Sequence, residues 1–141
     1  MKTLALLACF ASGVAVTDDA AFRFYFDLAP RSIEELDLIT RTMVDDANAE
    51  TLRAPLVVVL HGKEAKAFLR SHYQANKTLV DRTALLDAYG VLDVKMCATW
   101  MRLNGVDDAD IPPFIETVPY GQAELDRLRE RGDEPAPKVR I

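Results

Sequence analysis

Side chains able to act as nucleophiles or proton carriers are scarce in this chain, which has two cysteines, Cys9 and Cys97, and two histidines, His61 and His72. Cys9 falls in an apolar amino-terminal stretch, which leaves Cys97 as the one thiol of the remaining sequence. A thiol with no second cysteine forms no intramolecular disulfide, so it is a buried bystander, an intermolecular crosslink or a chemically used sulfur. Cys97 ends the strand-like run Val91-Leu92-Asp93-Val94-Lys95-Met96-Cys97 and directly precedes a helix-forming segment. Unpaired amides and the dipole at a helix amino terminus favour an anion, and hence the thiolate. A thiolate can attack a sulfane sulfur, carry a persulfide or ligate a soft metal. A packed free cysteine, in contrast, behaves as a small hydrophobe.

His61 closes the apolar run before Gly62. Its imidazole can orient or deprotonate the Cys97 thiol if the two strands are neighbours, or it can bond a backbone group and shape the turn. His72 lies in the polar stretch Ser71-His72-Tyr73-Gln74, where exposure is expected. The spacing of these residues matches no zinc-ligand pattern, and neither a metal nor a cofactor is expected. Asp27-Leu28-Ala29-Pro30-Arg31 lacks the glycines that let a backbone approach a pyrophosphate, which disfavours a dinucleotide site. No serine has the glycine-flanked setting of a hydrolase nucleophile. Trp100 and Met101 read as packing or subunit-contact residues.

The elements that must position these groups are legible from periodicity. Residues 22–28 alternate, with Phe22, Phe24, Phe26 and Leu28 on a core face and Arg23, Tyr25 and Asp27 on the other, as in a strand. Ser32-Ile33-Glu34-Glu35 is a capping box, and Ile33, Leu36, Ile39 or Thr40, Met43 and Ala47 follow at helical spacing. Residues 56–60, Leu-Val-Val-Val-Leu, read as a central strand buried on both faces, which implies parallel pairing. A short helix is expected over 63–71 and a longer one from 76 or 77 to Gly90, carrying Leu79, Leu85, Leu86 and Tyr89.

The third strand, 91–96, turns Leu92, Val94 and Met96 to one face and Asp93, Lys95 and Cys97 to the other, which is either open to solvent or used in subunit contact. A helix over 98–103 stops at Asn104-Gly105, a fourth strand covers 114–118, and a helix over 123–131 with Leu125 and Leu128 inward is closed by Gly132. Residues 131–141 form a charged, proline-containing tail in which Val139-Arg140-Ile141 could supply a strand fragment. Strand and helix alternate four times. This predicts an α/β domain, a three-layer α/β/α sandwich around a mostly parallel sheet, with sites beyond the carboxyl ends of its strands. Asp27, His61-Gly62, Cys97 and Pro119-Tyr120-Gly121 stand there.

The first fifteen residues combine Lys2, an apolar core from Leu4 onward and small residues at Gly13 and Ala15, the pattern of a secretory signal peptide cleaved after Ala15. The alternative is a first strand or core helix of a cytosolic domain. A lipoprotein reading at Leu6-Leu7-Ala8-Cys9 is disfavoured, because only Leu4 to Ala8 would precede Cys9 where about seven to fifteen apolar residues are usual. Residues 16–141 then form a single domain that is periplasmic or secreted. Without Lys2 it carries sixteen basic against twenty-two acidic residues, a net charge of −6. Such a surface repels phosphate backbones, so nucleic acid is not an expected partner. A run approaching the twenty or so apolar residues of a membrane span does not occur, and stable membrane insertion is not expected.

Cys97-Ala98-Thr99-Trp100-Met101, then Gly105-Val106, Asp110-Ile111, and Val118-Pro119-Tyr120-Gly121-Gln122-Ala123-Glu124-Leu125 with Leu128 and Gly132, resemble the carboxyl-terminal half of the DsrE/DsrF-like family. The opening strand and Val57-Val58-Val59-Leu60-His61-Gly62 also resemble its exported single-domain members, so the likeness spans about residues 22–132. The resemblance implies a flavodoxin-like fold, assembly as a homo-oligomer of trimer or hexamer type, and a cysteine equivalent to Cys97 that carries a persulfide between a sulfur donor protein and an acceptor. Exported members commonly place Asn where this chain has Thr99, and their closing aromatic strand is replaced by Asp133-Glu134-Pro135-Ala136-Pro137. Two functions are therefore expected to compete. One is sulfur relay through Cys97 with His61 assisting; the other is a non-catalytic oligomeric binding module whose cysteine is packed.

Overall fold

The computed structural model describes residues 23–27, 32–45 and 55–137. The expected leader over residues 1–15, Cys9, Phe22, Leu28, Ala47 and residues 139–141 lie outside them. Strands β1 (Phe24–Asp27), β2 (Leu56–Leu60), β3 (Leu92–Cys97), β4 (Glu116–Val118) and β5 (Glu134–Pro135) form one sheet in the order β4-β3-β2-β1-β5. Every pairing is parallel, with Phe26 opposite Val58, Val58 opposite Val94, and Cys97 opposite Val118.

Strand alternation sorts the side chains into two cores. Phe26, Val58, Leu60, Val94 and Met96 face helices α1 (Ile33–Asp45) and α2 (Tyr73–Ala88), meeting Leu36, Ile39, Leu79 and Leu86. Tyr25, Val57 and Val59 face Leu125 and Leu128 of α4 (Gly121–Glu130). The three layers expected from the sequence are present. Because both cores draw on β1, Tyr25 is buried as well as Phe26, and the strand has no fully solvated face. The α4 layer is thin; its two leucines each contribute about 1.5–3 kcal/mol on full burial, and Arg129 donates to the Tyr25 hydroxyl at 3.0 Å.

Local chemistry explains the element ends. Ser32 Oγ accepts the Glu35 N–H at 3.3 Å to open α1. Arg82 of α2 donates to Asp37 Oδ1 at 2.7 Å and to Thr40 Oγ1 at 3.2 Å, fastening α2 to α1. Helix α3 (Ala98–Leu103) ends where Gly105, at φ +65°, lets the Val106 N–H reach the Met101 carbonyl at 2.9 Å.

Several expectations are corrected. The helix expected over 63–71 is two 3₁₀ turns, Lys63–Phe68 and Arg70–His72, and α2 begins at Tyr73 with a break in helical geometry at Asn76. Leu85 and Tyr89 are exposed, since Leu79, Val80, Thr83 and Leu86 form the inward stripe of α2. The polar face of β3 is covered within the chain rather than open, with Lys95 7% and Cys97 3% exposed. Met101 is a core residue and Trp100 packs against the same core, in keeping with the packing role expected of them. A last strand forms at Glu134–Pro135, inside the segment that departs from the family pattern. Glu134 and Ala136 donate their N–H groups to Arg23 and Tyr25, while Pro135, which has none, sits at an edge where no donor is required.

Candidate functional site

Asp27, Val59, Lys95 and Glu116 form one row across the sheet on the α4 side. One step further toward the carboxyl ends, Leu60 pairs with Met96, and the next residues along the two chains are His61 and Cys97. The adjacency of β2 and β3 thus brings the imidazole and the thiol to the same end of the sheet. Asp27, last residue of β1, completes the group from the other side of β2.

Gly121, first residue of α4, is the spacer between them. A Cβ added there would lie 2.5 Å from His61 Cβ, 3.0 Å from His61 Cγ and 3.3 Å from Cys97 Cβ. Real Cβ contacts do not reach 2.5 Å, so glycine is required by the close approach of α4 to the two strand ends, not by an unusual φ.

The imidazole is held on several sides. His61 Nε2 lies 2.7 Å from Asp27 Oδ1, both side chains being partly shielded. A carboxylate only accepts, so Nε2 carries the proton and Nδ1 is the basic nitrogen of the neutral ring. Glu64 Oε1 accepts the N–H groups of His61 and Gly62, each at 2.9 Å, and fixes the turn that aims the ring. The sulfur has its own partner. Cys97 is the N-cap of α3, and Sγ accepts the Trp100 N–H at 3.3 Å. Among the described residues the thiol and the imidazole share no hydrogen bond. Thr99, at the position where exported family members commonly carry Asn, donates to the Pro119 carbonyl at 2.9 Å and ties α3 to the loop entering α4.

Beside the site lies a charged layer. Lys95 Nζ is 2.6 Å from Glu116 Oε2 and 3.2 Å from Asp93 Oδ2. Burial lowers the ammonium's pKa, but the hydrogen bonds to Glu116 and Asp93 outweigh it and leave the net shift upward. Glu124 of α4 is buried and bound by Arg127, which holds its carboxyl below the ordinary value.

Of the residues singled out in the sequence, His61 and Cys97 are brought together and His72 is not. His72 is exposed on the second 3₁₀ turn, with Nδ1 against Ser71 Oγ at 3.0 Å. Sequence reading did not identify the Asp27 pairing, the Glu64 clamp or the spacing role of Gly121. Only Glu64 leaves a local trace, an acceptor three residues after His61. Among the described residues, no group of three His, Cys, Asp or Glu is placed to hold a metal ion.

No protein-family model matches the chain, and no curated protein matches it significantly. Among solved structures it is similar to a protein of unknown function, MTH1491, from Methanobacterium thermoautotrophicum, at 17% identity. The likeness has a TM-score of 0.63 and covers 82% of this chain and 97% of that one. At that identity the likeness speaks to the fold, which is a three-layer α/β sandwich of flavodoxin-like type.

Proposed function

We propose that this is an exported sulfur-handling protein of the DsrE/DsrF-like type, in which Cys97 accepts sulfane sulfur as a persulfide and passes it on. The observation that carries the reading is the placement of Cys97 Sγ under the Trp100 N–H at the head of α3, with His61 and Cys97 both packed against Gly121. The Trp100 N–H is a donor to the negative charge that develops on the sulfur, and His61 assists as the neighbouring base. The thiolate then attacks the outer sulfur of a persulfide or polysulfide, forming Cys97–S–SH and releasing the donor as its thiolate, so that sulfur moves with no external oxidant. Sulfur donor and acceptor proteins are the partners. Export through a leader over residues 1–15 places the mature start near Val16 and the protein in the periplasm or medium. Assembly is as a homo-oligomer, trimer or hexamer.

A second reading is favoured by one specific fact: Cys97 is only 3% exposed. On this reading the thiol is a packing group in a non-catalytic oligomeric binding module. Incubation of the full chain with polysulfide separates the two. Relay predicts a mass gain of one sulfur atom, absent in Cys97→Ser and reversed by a thiol acceptor. A wild-type protein that never gains that mass, and whose thiol resists alkylation until unfolded, refutes relay and leaves the packed-cysteine module.

A further inference from the structure

A groove lies between α2 and residues 112–114, across the sheet from α4 and apart from Cys97. Phe68, almost wholly buried, is its floor, with Val80, Pro112 and Phe114 as walls, and the hollow is about 440 Å³. That size falls within the roughly 300–1,000 Å³ of small-ligand sites, which join apolar walls to a few placed polar groups. Two charges stand at its edge, and their situations differ. Asp81 is already engaged, accepting the Tyr73 hydroxyl at 2.6 Å and pairing with Lys77. Arg70 also lines the groove, and its guanidinium has no carboxylate partner among the described residues. A five-donor cation beside an aromatic hollow is thus the one charge there left to be matched by a ligand.

We propose that this groove binds a small aromatic carboxylate, with the ring against Phe114 and Tyr73 and the carboxylate on Arg70. Charge complementarity selects an anion, since the only acid in the groove is neutralised from within. Aromatic neighbours select a flat ring, which gains from offset or edge-on contact with them. The proposal is independent of the sulfur reading, because the two sites share no residue.

The test is titration of the isotopically labelled full chain with 2-naphthoate and with its neutral analogue 2-naphthamide, followed by backbone amide shifts. Binding is expected to move the amides of residues 68–73, 80–84 and 114. Arg70→Gln, an exposed change that leaves the core intact, should weaken naphthoate by roughly fivefold or more while leaving naphthamide within about twofold. Ala84→Leu, which fills the hollow, should remove both ligands while keeping the rest of the spectrum. Shifts centred elsewhere, naphthoate affinity unchanged in Arg70→Gln, or no binding at about 1 mM of either probe would overturn the proposal.

Discussion

His61 and Asp27 meet at 2.7 Å across the ends of neighbouring strands, so the first strand of the fold sets the orientation of the imidazole at the strand ends. Asparagine at 27 offers an acceptor and a donor, and no longer dictates which ring nitrogen is protonated. Asp27→Asn is expected to slow persulfide loading of Cys97 by roughly tenfold, less than the 10²–10⁴ of a lost base. Mass spectrometry of the loading time course checks it; an unchanged rate removes Asp27 from the positioning of His61.

Gly121→Ala inserts a methyl group 2.5 Å from His61 Cβ, and that neighbour is the root of a side chain, not a flexible end. Relief requires α4 to lift or the β2 turn to move. Overpacking of this kind costs about 1–3 kcal/mol, expected as a lowered denaturant midpoint with unchanged slope. A variant as stable as the parent would refute the close approach of α4 to His61 as the reason for glycine at 121.

Glu124 carries an acid-sensitive part of the stability. Arg127, at 2.6 and 2.9 Å, lowers its carboxyl below the ordinary 4.5, against burial, which pushes the other way. A carboxylate depressed on folding contributes stability that is complete above its unfolded value and is lost as pH falls through the folded one. Stability should therefore decline below about pH 4.5. Glu124→Gln should lower it by about 1 kcal/mol at neutral pH and flatten the acid decline. Urea midpoints at neutral and acid pH decide the matter, and an acid slope equal to the parent's would exonerate Glu124.

Assembly is testable on the residues that stand out of the fold near the site. Leu103 at the end of α3 is 78% exposed and Tyr120, the N-cap of α4, is 54% exposed. Light scattering of the chain from Val16 onward is expected to give a trimer or hexamer, and Leu103→Glu with Tyr120→Asp to shift it to monomer. A parent protein that is already monomeric at micromolar concentration refutes the assembly.

Much of the fold was legible because its signals are local. The unbroken Leu56–Leu60 run identified a strand buried on both faces, and Asn104-Gly105 marked the end of α3. The alternation puts Tyr25 opposite the core face, and a single strand does not say that a helix 96 residues later will cover that side too. Periodicity does not choose which of Leu79, Leu85, Leu86 and Tyr89 turn inward, because several apolar stripes fit the same helix; packing against α1 and β3 selects Leu79 and Leu86. Asp133-Glu134-Pro135 carries no strand propensity; its pairing is imposed by the open edge of β1. The candidate site divides the same way. Strand ends placed His61 and Cys97, whereas the Asp27 pairing depends on register between distant segments.

The edge pairing has a temporal meaning. Phe24 and Glu134 are partners separated by 110 residues, and α4, which brings Gly121 over His61 and Cys97, belongs to the same late-made stretch. Contacts so remote in sequence close slowly, after the nearer β1, β2 and β3 have joined. During synthesis the sulfur therefore stands at an open strand end until Gly121 of α4 packs against Cys97.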